Sequence, residues 1–167
     1  MPPQDSEQET PGRFLEYMSD ARVEALLKRL DTPISGGHGK WTFTLLNREV
    51  VVVAHEAAGR IRIMTPILTV PDEGFSDALM KRLLQANFDS ALDARYAVAD
   101  DILWGVYIHP LNPLTEQQFF GAIKQVISIA ETFGETFSSG GPLFGGGDSS
   151  EELRKLQQAP QTRGAPL

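Results

Sequence analysis

The chain has 167 residues, 41% of them apolar and 22% charged, with a formal net charge of −7 and a sequence pI near 4.9. That length and balance suit one globular domain with a sizeable core, and the acidic surplus argues against nucleic acid or an anionic membrane as partner, since both demand clustered Lys and Arg. The lack of cysteine excludes disulfides and thiolate chemistry, and with no apolar run of membrane-spanning length and no basic, apolar leader in MPPQDSEQETPG, a cytoplasmic location is expected.

Residues 1–10 are polar, contain proline and lack periodicity, which predicts a disordered lead. Thr10 is placed to cap a first helix with Pro11 at its first turn, and Leu15, Met18, Val23, Leu26, Leu27 and Leu30 then recur at helical spacing. Asp31-Thr32-Pro33 is expected to stop it.

After the Gly-rich SGGHG (35–39), expected to be a flexible turn, the period changes to two. Trp41, Phe43 and Leu45 of WTFTLLN share a face, Asn47-Arg48 is the expected turn, and EVVVVAHEA has the β-branched density of a strand. Ala58-Gly59 turns the chain into RIRIMTPIL, where Ile61 and Ile63 alternate with Arg60 and Arg62. The result is a three-stranded meander whose last strand should end, or reach a sheet edge, at Pro66.

Ser76 caps a second helix carrying Leu79, Met80, Leu83, Leu84 and Phe88, with Lys81 and Arg82 opposite. ARYAVADDILWGVYIHP (94–110) then reads as a hairpin. Thr115 with Gln118 forms a capping box for a third helix striped by Phe119, Phe120, Ile123, Val126, Ile127, Ala130 and Phe133. Residues 138–167 have the composition of a Gly/Ser/Pro-rich flexible tail, with room for a short helix at 151–158. The predicted fold is therefore α+β, a two-layer α-βββ-α-ββ-α sandwich with a mainly antiparallel sheet, over residues 11–137.

This order, together with RIRIMTPIL, LMKRLLQANF (79–88), ARYAVADDILWGVYIHP and PLTEQQFFGAIKQVISIAETFG (113–134), resembles the type III secretion chaperone-like superfamily, which includes the Tir-chaperone and YbjN groups. The resemblance covers about three quarters of the chain and lies closer to the YbjN side. It implies a small, acidic, cytoplasmic homodimer that binds a segment of a partner protein and has no enzymatic activity. In the secretion-chaperone members that segment is the unfolded amino-terminal region of an effector, wrapped around the dimer.

The residues themselves carry little catalytic promise. SGGHGK (35–40) departs from a Walker loop and precedes a strand, whereas phosphate cradles open a helix. His38, His55 and His109 have no ligand-like spacing. Asp100-Asp101 suit a turn better than acid/base work, because neighbours at a hairpin tip diverge into water. Arg48, Arg60 and Arg62 read as a solvated row, and no serine has a nucleophile elbow. No catalytic residue, metal or cofactor is expected; the alternative is a small-molecule binder or enzyme with a pocket between the second helix and the sheet.

The hairpin carries the more specific expectation. A two-residue turn at Asp100-Asp101 pairs Ala99 with Ile102, Val98 with Leu103, Ala97 with Trp104 and Tyr96 with Gly105. One face then holds Ala97, Ala99, Ile102, Trp104, Val106 and Ile108, the other Tyr96, Val98, Leu103 and Tyr107. Both are apolar, whereas a sheet with helices on one side only should be polar on the other. Either helices cover both faces, the second helix packing on the far one, or a second chain covers one; the second chain is the expected cover, with Tyr96, Val98, Leu103 and Tyr107 as the partner or dimer surface.

Overall fold

A computed structural model describes residues 17–139; the expected lead, the helix start at Thr10-Pro11 and the short helix at 151–158 lie outside them. Within this span an α+β arrangement is present, with three helices and one six-stranded sheet in the order β1-β2-β3-β4-β6-β5, every neighbouring pair antiparallel.

Helix α1 (Asp20–Leu27) is capped by Ser19, whose backbone is extended (φ −141°, ψ 169°) and whose side chain accepts from Arg22 N. A residue so extended interrupts a helix, which corrects the expectation of one continuous helix from Thr10. Val23, Leu26 and Leu27 are buried on its inner face.

The Gly-rich stretch also differs from expectation. Ser35–Gly37 forms a short strand, β1, paired with β2 (Lys40–Leu45), which makes a sixth strand. At Gly39 in the connecting turn φ is 86° and a Cβ would stand 2.6 Å from Ala54 O, so only glycine permits the close approach. The turn into β3 (Arg48–His55) is Leu46-Asn47, one residue earlier than expected, because Arg48 already pairs with Leu45. Both turn residues take positive φ, as a two-residue hairpin turn requires. Leucine rarely adopts that region; packing of Leu46 against the core holds it there.

Strand β4 (Arg60–Thr69) runs on past Pro66, which meets the second expected outcome, a sheet edge, rather than the strand's end. Its ladder with β3 ends at Met64, so beyond that residue β4 has a strand on one side only, and a register shift separates Pro66 from Leu68. A proline is tolerated under those conditions.

Helix α2 (Asp77–Asp89), capped by Ser76, leads to the hairpin of β5 (Arg95–Ala99) and β6 (Ile102–Pro110). The hairpin has the expected register, with Asp100 and Asp101 both at positive φ. Strand β5 is one edge of the sheet, and the Asn87 side chain of α2 closes it at Tyr96. Its amide donates to Tyr96 O (3.0 Å) and its carbonyl oxygen accepts from Tyr96 N (2.8 Å).

Helix α3 (Glu116–Glu131) starts with the expected capping box of Thr115 and Gln118. It lies across the sheet, and Phe119, Phe120, Ile123, Val126 and Ile129 form the centre of the core with Trp41, Ile61, Ile63 and Leu103. Arg22 and Arg29 of the α1 region both bond Glu116, Arg29 also lies over the Phe120 ring, and Arg48 pairs with Glu131. The hydrophobic layer is thus enclosed between one face of the sheet and the helices.

Candidate interaction surface

Side chains alternate across a strand, so the row pairings define the two faces of the sheet. Tyr96, Leu103 and Tyr107 point to the helices and are buried, Leu103 being 1% exposed. Tyr96 donates its hydroxyl to Ile129 O (2.8 Å) and meets Phe133 and Phe137 edge-on. The Tyr107 ring stacks on His109 (5.9 Å between centroids, 7° between planes). Burial pushes both phenols up to about 12, with the nearby Asp93 charge adding to the effect at Tyr107 and partly opposed at Tyr96 by Thr132 and Arg82.

This placement corrects the expected partner surface. Of Tyr96, Val98, Leu103 and Tyr107, only Val98 is exposed, near the hairpin tip; the other three belong to the core. The register is as expected and the two faces of the hairpin are apolar, but α3 covers the opposite one from that expected. The signal lay in Gly105, which shares a face with Leu103 and Tyr107. A strand glycine marks close approach of another element, and a Cβ there would stand 2.6 Å from Ile129 Cγ2 of α3.

The outer face carries no helix among the described residues. Thr42, Val51, Met64, Val106 and Arg95 form one row across five strands, and Val53, Arg62 and Ile108 part of the next. Towards the tip, Trp104 pairs with Ala97 and Ile102 with Ala99. Trp104 Nε1 donates to Ala99 O (3.2 Å), tethering the polar edge of the indole to the hairpin backbone. Met64, Ala97, Ala99, Trp104, Val106 and Ile108 line an open groove of about 300 Å³, with Arg62 and Asp100 at its two ends. Ile108 is 56% exposed.

The other polar candidates do not converge. Arg48 faces α3, while Arg60 and Arg62 lie exposed on the outer face, so the three arginines form no common row. His38 sits in the β1–β2 turn, and His55 Nδ1 accepts from Ala58 N (3.0 Å). Among the described residues no group of three or more His, Asp or Glu side chains could hold a metal ion, and no helix is long and apolar enough to cross a membrane.

A mixed-polarity cavity of about 580 Å³ lies between β6 and α3. Much of its polar lining already holds the chain in place. Gln125 Oε1 accepts from Asp93 N (2.8 Å) and Ala94 N (2.9 Å), its amide donates to Asp93 (3.1 Å), and Arg95 bonds Leu92 O and Ala94 O.

Helix α2 differs from expectation in its exposure. Only Leu83 and Ala86 on it are buried, whereas Met80, Leu84 and Phe88 face outward, Leu84 at 66% and Phe88 at 92% exposure. Its apolar residues form two stripes, and the described body covers one. No protein-family model matches this chain, and no curated protein matches it either.

Proposed function

We propose that the protein is a non-catalytic protein-binding module, chaperone- or adaptor-like in the manner of the secretion-chaperone-like superfamily, and that its open sheet face seats a second copy of the chain. The observation that supports this is the outer face itself. A sheet face in contact with water alternates to polar residues, yet this one presents the half-buried Met64, Trp104 and Val106 beside the exposed Ile108. Contiguous exposed apolar surface of this kind characterises interaction sites, and a tethered tryptophan at its centre has the character of an interface anchor.

The charges favour a second copy as the occupant. Arg62 stands at one end of the groove and Asp100 at the other. A two-fold axis lying across the strands reverses strand direction and brings each Arg62 over the partner's Asp100, giving two matched pairs around an apolar centre. Sheets packed in this way stand about 10 Å apart.

Light scattering and sedimentation test the proposal. The wild type is expected to be a dimer at micromolar concentration, and Trp104→Asp a monomer with an unchanged circular dichroism spectrum. Arg62→Asp and Asp100→Arg should each weaken the dimer, and the double exchange should restore it. A monomeric wild type, or a dimer indifferent to Trp104→Asp, overturns the assignment.

A further inference from the structure

The cavity between β6 and α3 has its origin in the unequal lengths of the hairpin strands. Strand β5 begins at Arg95, opposite Val106, so residues 107–110 of β6 have no strand neighbour on that side. Helix α3 forms the facing wall, with Gly121 among its lining residues. Glycine weakens a helix interior relative to alanine, and here its missing side chain keeps the space open.

The bonds that fix the lining leave a second set of polar atoms unused. Gln118 Oε1 accepts from Thr115 N (2.9 Å), which leaves the amide donors of Gln118. His109 Nδ1 stands 2.7 Å from Pro110 O, so that nitrogen carries the proton and Nε2 is the acceptor of the neutral ring. Asp93 receives the Gln125 amide on Oδ2, and Arg95 uses Nη1 for Leu92 O and Ala94 O. Asp93 and Arg95 thus bring opposite charges to one cavity, yet among the described residues neither forms an ion pair.

Tyr107 differs from the other buried tyrosine. The Tyr96 hydroxyl is bonded to Ile129 O, as a buried phenol normally is. Tyr107 is only 4% exposed and lines the cavity, but its hydroxyl has no hydrogen-bond partner among the described residues. The buried side-chain atoms sealed off without a partner are Asp20 Oδ1 and Trp41 Nε1, so the Tyr107 hydroxyl is not sealed but opens into the cavity. Burial, and after it the Asp93 charge, raises this phenol, which places the carboxylate within electrostatic reach of the hydroxyl.

A space of this size with a few convergent polar groups has the character of a small-molecule pocket. Two opposite charges held apart match a molecule that carries both, since each then gains a charge-assisted hydrogen bond. We propose that the cavity binds a free α-amino acid as its zwitterion, with the ammonium group on Asp93, the carboxylate on Arg95 and the Tyr107 hydroxyl, and the side chain in the space beside Gly121. The site shares only Ile108 with the groove on the outer face, so it stands independently of the sheet-face dimer.

Calorimetry on the full-length chain, with each standard amino acid in turn at about 10 mM, tests the proposal. At least one is expected to bind at one site per chain with a Kd below about 1 mM. Its α-amide, which lacks the carboxylate, and its N-acetyl form, which lacks the ammonium, should each bind at least about tenfold more weakly, as loss of a charged hydrogen bond dictates. Asp93→Asn keeps an acceptor for Gln125 and should also weaken binding about tenfold. Tyr107→Phe removes a hydroxyl with no protein partner, so it should leave the melting temperature unchanged while weakening binding several-fold. Arg95 is left in place because it also stands in the outer row of the sheet. Failure of every amino acid to bind, equal binding of the amide or the N-acetyl form, or binding indifferent to both substitutions overturns the proposal. A Tyr107→Phe protein that melts lower than wild type overturns it as well, because the hydroxyl would then already serve the fold.

Discussion

Gly105 of β6 lies directly beneath Ile129 of α3, so close that a Cβ on the glycine would stand 2.6 Å from the isoleucine Cγ2 and 3.2 Å from Val126 O. The helix rests on the one inward position of the strand that has no side chain. Gly105→Ala must push α3 off the sheet, and overpacking of this kind costs about 1–3 kcal/mol. Ile129→Ala removes the methyl that collides, so the double variant should lose less than the sum of the two single losses, by ~0.5–3 kcal/mol. Urea unfolding of the four proteins of this cycle measures the difference; simple additivity would refute the contact.

Trp104 and Tyr107 are near neighbours on one strand and face opposite ways. Tyr107→Ala should cost about 3–5 kcal/mol, as deletion of a large buried aromatic does, and Leu103→Asp should abolish folding, because it buries a carboxylate with no partner. Trp104→Ala should leave stability within about 1 kcal/mol in the monomer, where its loss is from a surface already open to water. Thermal melts at low concentration, where any dimer has dissociated, make the comparison.

The two buried tyrosines set an alkaline limit. Each phenol rises from 10 to about 12 in the folded chain, so the native state holds its proton more tightly than the unfolded state does. That contribution is fully present below pH 10 and is lost as pH rises towards 12. Melting temperature should therefore fall across this window, with phenolate absorbance from these residues arriving together with unfolding. Tyr96→Phe should flatten the fall while lowering stability at pH 7 by about 1 kcal/mol, through loss of the hydroxyl's bond to Ile129 O.

Asp100 and Asp101 both occupy positive φ at the hairpin tip, and they place two like charges side by side. Glycine at the second position adopts this conformation without steric cost, so Asp101→Gly should stabilise the fold by about 0.5–1 kcal/mol. An unchanged or lowered melting temperature would contradict the turn assignment. Asp100, which the dimer proposal needs, is left in place.

Much of the fold was legible because local chemistry and tertiary packing agree in it. Thr115 and Gln118 cap α3 as read, Trp41, Phe43 and Leu45 point inward together, and the hairpin register follows from its turn. The errors fall where local pattern leaves a choice. Ser35–Gly37 has no strand propensity and becomes β1 only because β2 lies beside it. Thr10-Pro11 reads as the helix start, but the extended backbone of Ser19 breaks the pattern. The hairpin is apolar on both faces, so periodicity could not say which face α3 would cover; Gly105 held that information. Similarly, α2 is wide enough in its apolar pattern that Leu83 and Phe88 looked equivalent, and only packing against the body separates them.

The bidentate grip of Asn87 on Tyr96 bears on what kind of association this chain permits. An apolar sheet with an open edge invites other strands to add on, and such growth has no natural stopping point. Here the edge residue's donor and acceptor are already taken by a side chain of the same molecule, so an incoming strand finds nothing to pair with at that position. The rim is thus closed at Tyr96, whereas the outer face of the sheet carries no helix among the described residues; a face, unlike a rim, would be used up once a single neighbour had settled on it.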